Sequence, residues 1–372
     1  MNATIEPRVE KVRARLRKIN IDTFMVHLSE NRRYLSGFTG EDGQFDESAG
    51  MLFVTQDRLV LATDSRYDLQ ASEEAPLCEI ICYQKGMVKE IPTILKALKT
   101  RRLGFEGARI SYSQYTEISD EIHKMGIEVA LLNLKDTVED LRIIKGEAEI
   151  QATRDALRLA ENAYRKVAVG IAPGMTEKSI AWAMEKEMRE SGADGLSFPV
   201  IVAGGPNSAL PHAIPGDRKV QEKEPLLFDW GARLHGYCSD TSRTVTLGTP
   251  DETFKKVHRT VLDAQRFAID AIQPGVNSKA VDAIAREHIE KAGYGGKFGH
   301  GLGHGTGLAI HEAPRLSPLT EITLTPGMLV TVEPGIYLPG WGGVRIEHQV
   351  VVREEGAEIL NALNTSYCLD DL

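Results

Sequence analysis

The sequence predicts a two-part α+β chain, in which a smaller α/β unit precedes a larger unit built on an internal repeat. Three observations predict it. The 372 residues exceed what one compact core usually spans. Roughly the first 130 residues alternate short apolar runs with charged, amphipathic ones. Residues 171–192, IAPGMTEKSIAWAMEKEMRESG, align without gaps on residues 272–293, IQPGVNSKAVDAIAREHIEKAG. The boundary is placed where the charged stretch KDTVEDLRIIKGEAEI leads into a long helix from about Lys145 to Val169, giving units of residues 1–138 and 139–372.

In the first unit, Pro7 to Lys18 reads as a helix, and Thr23 to Leu28, Met51 to Thr55 and Leu59 to Thr63 read as strands, with a turn at Gln56 and Asp57. Glu79 to Tyr83 is a further strand, Val88 to Lys99 a helix, Leu103 to Glu106 a strand and Tyr115 to Lys124 a helix, before the strand-like IEVALLNL. No glycine-rich phosphate loop follows any of these strands, so the unit carries no visible nucleotide site.

In the second unit, each copy of the repeat has a Pro-Gly turn, then N-capping Thr176 or Asn277, a helix of matching length and a closing glycine. With small gaps the repeat extends further. FDWGARLHGYCSD, ending at Asp240, matches VEPGIYLPGWGGVRIE, ending at Glu347. Each is a strand ending in an acid, a glycine-bearing turn and a second strand ending in an acid, so Asp229 corresponds to Glu333 and Asp240 to Glu347. Two half-domains related by a pseudo-twofold would each bring one carboxylate-bearing hairpin to their junction.

Composition narrows the partners. A net charge of −9 argues against nucleic acid or anionic membrane, which require a concentrated basic surface. No apolar run approaches the ~18 residues of a membrane span. The opening MNATIEPRVEKVRARLRK is charged from residue 6 onward and lacks the apolar core of a signal peptide. Cys78, Cys82, Cys238 and Cys368 have no metal-ribbon spacing, and a reduced, cytoplasmic setting is the simplest expectation.

The acids carry the chemistry. LLFDWGA and LVTVEPG are apolar strands in which an ionised carboxylate needs a cation or hydrogen-bond partner. For any one of them an outward-pointing acid at a strand end is the simpler reading; four in two matching hairpins favour a shared site. Two divalent cations would neutralise four carboxylates. In FGHGLGHGTGLAIHEAPR, residues 298–315, the glycines make a helix improbable, and they let the backbone run close to a neighbour. His304 is the candidate nitrogen ligand, and His311 is placed to act on a substrate, although a lone histidine is more often structural.

PNSALPH, FDWGARLHGYCSDTSRT, GHGTGLAIHE, TVEPGIY and GGVRIE together resemble the metallopeptidase family of Xaa-Pro aminopeptidase, Xaa-Pro dipeptidase (prolidase), methionine aminopeptidase and creatinase, whose fold is called pita-bread. RRYLSGFTG and ATDSRYDLQA are similar to motifs of the creatinase-like N-terminal domain, which brings the proline-directed branch closest. The resemblance implies metal ligands at Asp229, Asp240, His304, Glu333 and Glu347. It implies two divalent ions, manganese or cobalt by analogy, with zinc or iron as alternatives. It further implies cleavage of the Xaa-Pro bond at a peptide N-terminus by a metal-bridging hydroxide, with Glu333 as proton shuttle and His212 and His311 holding the substrate and the tetrahedral intermediate. Arg315 matches a position that pairs with a substrate carboxylate in the dipeptidases, a surface arginine being its alternative. Substrates would be small peptides with proline second, and a homodimer is the usual assembly.

Two other readings stand beside this one: a non-catalytic peptide-binding module on the same fold and a creatinase-like amidinohydrolase. Three departures from the family pattern are visible. Ser242 replaces a usual threonine, His348 follows Glu347 where an acid or amide is common, and GEDGQFDESAGM is longer and more acidic than the family's turn. Glu41, Asp42, Asp46 and Glu47 of that stretch are expected in a solvated loop, the sharper alternative being that one of them attracts a substrate amino group.

Overall fold

The computed structural model describes residues 2–42 and 48–369, in two compact units, Met1–Leu141 and Arg142–Leu372. In the first unit the elements are α1 (Asn2–Lys18), β1 (Thr23–Val26), α2 (Ser29–Ser36), β2 (Met51–Val54), β3 (Leu59–Thr63), α3 (Asp68–Glu74), β4 (Glu79–Cys82), α4 (Met87–Ala97), β5 (Arg102–Glu106), α5 (Tyr112–Lys124) and β6 (Ala130–Leu134). The strands form one sheet in the order β4-β3-β2-β1-β5-β6. β1 runs antiparallel to β2 and parallel to β5, and β3 runs parallel to β4. Apolar residues of β1, β2, β3, α4 and α5, among them Phe53, Leu95 and Ile122, bury one core.

The strands expected from sequence match the sheet to within two residues, except that β6 starts three residues later than the stretch IEVALLNL; α2 and α3 have no counterpart in that reading. Both are short and dominated by polar residues, so neither shows a helical apolar stripe. Helix α1 begins before Pro7, which therefore lies inside it rather than at its start. In the acidic segment, Asp42 accepts from Arg32 Nη2 at 3.0 Å and from Ala49 N–H at 2.8 Å. That carboxylate is occupied by contacts within its own unit. Glu41 is exposed, and Asp46 and Glu47 lie outside the described residues.

A buried acid gives this unit a pH-dependent stability. Glu106, at the end of β5, accepts from the His27 and Leu28 N–H groups at 2.7 Å each and from Asn31 Nδ2 at 2.6 Å. Burial pushes its carboxyl up to about 7. A raised carboxyl pKa contributes stability that is full below the unfolded value and is lost as pH rises toward the folded one. The unit is thus expected to lose on the order of 3 kcal/mol at most between pH 4.5 and 7. Glu106→Gln should flatten that slope, which thermal unfolding at pH 5 and pH 8 will show.

At the boundary stands the short helix α6 (Glu139–Arg142). The second unit then contains α7 (Glu147–Ala168), α8 (Glu177–Glu190), β7 (Gly195–Leu196), β8 (Ile201–Gly204), β9 (Leu226–Trp230), β10 (Ala232–Leu234), β11 (Tyr237–Cys238), β12 (Thr241–Val245), α9 (Glu252–Asp270), α10 (Ser278–Ile289), β13 (Gly303–Gly305), β14 (Glu312–Leu316), β15 (Leu329–Val332), β16 (Gly335–Leu338), β17 (Gly342–Arg345), β18 (His348–Arg353) and β19 (Gly356–Ile359).

The internal repeat is written in this topology. α7, α8, β8, β9 and β12 of the first half correspond in order to α9, α10, β13, β15 and β18 of the second. β9 lies between β8 and β12, antiparallel to both, as β15 lies between β13 and β18. Thr176 Oγ1 caps α8 by accepting from Ser179 N–H, and Asn277 Oδ1 caps α10 by accepting from Lys279 N–H. Gly174 and Gly275 before the caps have φ of 95° and 88°, and Gly192 and Gly293 after the helices have φ of 99° and 91°. These are left-handed conformations that favour glycine. Each half has its own core: Tyr164 stacks on Trp230 at 4.6 Å in one, and α9 and α10 cover β15 and β18 in the other. No helix among the described residues is long and apolar enough to cross a membrane.

Candidate metal centre

The matched strands deliver the matched acids. Asp229 lies in β9 and Glu333 immediately follows β15; Asp240 immediately precedes β12 and Glu347 immediately precedes β18. Asp229, Asp240 and Glu347 each offer a carboxylate oxygen, and these oxygens lie within 4.8 Å of one another. His304 Nε2 lies 3.6 Å from Asp240 Oδ2 and 3.3 Å from Glu333 Oε1. All five expected ligands therefore meet in one cluster.

The glycines around His304 have a structural cause. β13 is a strand, and a Cβ at Gly303 or Gly305 would collide with the carbonyls of Thr331 or Ala313 in the strands on either side. The close approach inferred from sequence is thus to neighbouring backbone. His304 Nδ1 bonds the Gly305 carbonyl at 3.0 Å, which leaves Nε2 facing the acids.

Arg345 organises the acids from behind. Its Nη2 donates to Asp229 Oδ2 at 2.6 Å, its Nε to Ser242 Oγ at 2.8 Å and its Nη1 to Tyr337 Oη at 2.9 Å. Ser242 Oγ in turn donates to Glu347 Oε2 at 2.9 Å, so the serine standing in for threonine keeps the hydroxyl's task. Tyr337 Oη bonds His300 Nε2 at 2.9 Å. Gln349 links the halves, accepting from Asp240 N–H at 3.1 Å and donating to Thr306 Oγ1 at 2.6 Å. Thr331 Oγ1 donates to Glu333 Oε1 at 3.0 Å.

None of Arg345, Gln349, Thr331 or Tyr337 was singled out from sequence. Strand alternation could have found the first three, since Arg345, Glu347 and Gln349 share one face, as do Thr331 and Glu333. The same alternation turns His348 away from the cluster; its Nδ1 is buried without a hydrogen-bond partner.

The electrostatics demand positive charge. Burial, then repulsion from the other acids, pushes the Asp240 and Glu347 carboxyls well above the usual range, and burial raises Asp229 despite Arg345. Glu333 is held low, at about 2: burial alone pushes it up, but the His304 bond and the charges of His304, His300 and Arg345 outweigh it. Asp229 Oδ1 and Glu347 Oε1 are buried without a hydrogen-bond partner. Such oxygens are costly to leave unsatisfied, and divalent cations fit them. The five residues can therefore hold a metal pair.

A cavity of about 420 Å³ adjoins the cluster, with Asp229, Asp240, His304 and Glu333 in its wall. His212, His311 and Arg315 also line it, as do Phe198, Ile201 and Ile310. The His311 ring packs edge-on to His304 with centroids 4.4 Å apart, and burial, then the neighbouring His304 and Arg315, pushes it down to about 4. Arg315 pairs in register with His304 across β13 and β14. The structure thus brings all eight sequence-derived candidates to one place.

Comparison with known proteins agrees with this architecture. The profile of metallopeptidase family M24 matches residues 151–354, and that of the creatinase/prolidase N-terminal domain matches residues 8–144. The Xaa-Pro dipeptidase of Pyrococcus furiosus is 36% identical over 356 residues, 96% of this chain and 98% of the relative. Among solved structures, the Xaa-Pro dipeptidase from Bacillus anthracis is 36% identical with a TM-score of 0.91, covering 98% of this chain and 99% of the other. The X-Pro aminopeptidase from Thermotoga maritima is 36% identical with a TM-score of 0.85, covering 95% and 99%.

Proposed function

This chain belongs to metallopeptidase family M24, and on that premise we propose that it hydrolyses the Xaa-Pro bond of dipeptides. The observation that carries the reading is the convergence of five ligand-type side chains from two matching half-domains, with two buried carboxylate oxygens left unpartnered, beside a cavity lined by two histidines and an arginine. The substrate class is supported by relatives that are named Xaa-Pro dipeptidases.

Asp229, Asp240, His304, Glu333 and Glu347 would hold two divalent cations, manganese or cobalt in preference to zinc or iron. When bound, such cations supply Lewis acidity and make a water nucleophilic near neutral pH. The chain's own groups do the rest. Glu333 takes the proton of the attacking water and returns it to the leaving proline nitrogen. His212 and His311 donate hydrogen bonds where negative charge develops on the scissile carbonyl. Arg315 pairs with the carboxylate of the dipeptide, which its planar fork suits. Phe198, Ile201 and Ile310 give the apolar wall that a proline ring needs, since a tertiary amide has no N–H to offer a strand-like binding site.

Aminopeptidase action on longer Xaa-Pro peptides uses the same machinery, and the relative from Thermotoga maritima is named for it. The two are separated by comparing a dipeptide with an Xaa-Pro-Yaa tripeptide, using Arg315→Ala alongside the parent. Dipeptide cleavage with a raised KM in Arg315→Ala is expected; equal cleavage of the tripeptide, unaffected by the substitution, would reject the dipeptidase reading. A non-catalytic binding module has no use for the full set of ligands and both histidines.

A further inference from the structure

Next to His311 is an acid that neither the proposed ligand set nor the substrate contacts employ. The Glu312 carboxylate meets the Arg142 guanidinium, the Lys145 ammonium at 2.9 Å and the Ala309 N–H at 3.0 Å. The side chains of all three charged residues are nearly inaccessible to solvent. Glu149 adds a second acid on the Lys145 side.

The contacts converge on the turn that delivers His311. Gly307 N–H donates to the Ala309 carbonyl at 3.0 Å, and the Gly307 carbonyl accepts from Cys238 N–H at 2.8 Å. A side chain at position 307 would run into the Glu312 carboxylate. The turn is therefore gripped by Cys238 on one side and by the Glu312 carboxylate on the other, and its far end puts the His311 ring against His304.

A buried ion cluster returns little net stability, because desolvating its charges offsets their attraction, and an apolar set of equal volume would serve stability as well. What an apolar set lacks is an acceptor for Ala309 N–H held at a fixed point by two cations. We propose that Glu312, clamped by Arg142 and Lys145, is a positioning residue that fixes the 307–311 turn and aims His311 at the substrate. This rests on the reading of His311 as a substrate-contacting group.

The test is a double-mutant cycle in the full-length, metal-loaded protein, with Glu312→Ala and His311→Ala alone and combined. Glu312→Ala is expected to lower kcat for an Xaa-Pro dipeptide roughly ten- to hundredfold, as displaced catalytic groups do, with metal content unchanged. In the His311→Ala background the same change should cost nothing more. Gly307→Ala keeps every charge but pushes the carboxylate aside, and it should reproduce the pattern even if Glu312→Ala does not fold. Equal losses in both backgrounds, metal loss in parallel with activity, or parental kcat in the variants would overturn the clamp. A fully active His311→Ala would instead overturn the reading of His311, and the clamp's role with it.

Discussion

Glu347→Gln is expected to lower kcat by about a thousandfold or more and to reduce bound metal, while leaving the metal-free protein as stable as the parent or more so at pH 8. Burial, then repulsion from the neighbouring acids Glu333 and Asp229, pushes the Glu347 carboxyl well above the usual carboxylate range. A carboxyl whose folded pKa is raised stabilises the fold below its unfolded pKa and loses that contribution as pH rises toward the folded value. Metal-free parent protein should therefore melt lower at pH 8 than at pH 5, and glutamine, which still accepts from Ser242, should remove part of the penalty. Saturating divalent cation should reverse the trend for the parent, because ligand bound to the native state stabilises it by mass action. Calorimetry with and without chelator measures both halves. A purely structural Glu347 would give the opposite result, a less stable protein with undiminished turnover.

Arg345→Met should damage both folding and metal binding. The guanidinium is buried, and it holds Asp229 directly and Glu347 through Ser242. Removing one partner of a buried pair typically costs about 3–5 kcal/mol, because the remaining charge is left uncompensated. Loss of a group that orients ligands typically lowers metal affinity by about ten- to hundredfold. Arg345→Lys should recover only part of this, since an ammonium cannot reach Asp229, Ser242 and Tyr337 together as the planar fork does. Denaturant midpoints and metal titration check the two effects separately. A methionine variant with parental affinity and stability would show that the acids do not depend on this guanidinium.

The two hairpins explain what was legible in the sequence. Acids at strand ends, Pro-Gly turns and capping residues are local signals, and they are sufficient to pair Asp229 with Glu333 and Asp240 with Glu347 from sequence alone. His304 was legible because the glycines beside it made a helix improbable. Arg345 and Gln349 were harder, since their importance lies in partners more than a hundred positions away, at Asp229 and Asp240. Alternation along the strand carried the hint, but a buried arginine reads like any polar residue until its partners are known. Helices α2 and α3 escaped because tertiary contacts, not an apolar stripe, hold them. Glu312 gave no signal at all: its partners Arg142 and Lys145 sit at the other end of the unit's sequence.

On the function proposed above, a pair of divalent cations in this cluster drives hydrolysis of an Xaa-Pro bond. The most direct test strips the protein of metal, restores manganese or cobalt in counted equivalents, and follows cleavage of an Xaa-Pro dipeptide with Glu333→Ala as the blank. The stripped protein is expected to show no cleavage, recovery should saturate at about two cations per chain, and the blank should stay inactive. A correctly loaded protein that leaves the dipeptide intact, or a stripped one that cleaves it, would show that a metal pair in this cluster does not drive Xaa-Pro hydrolysis.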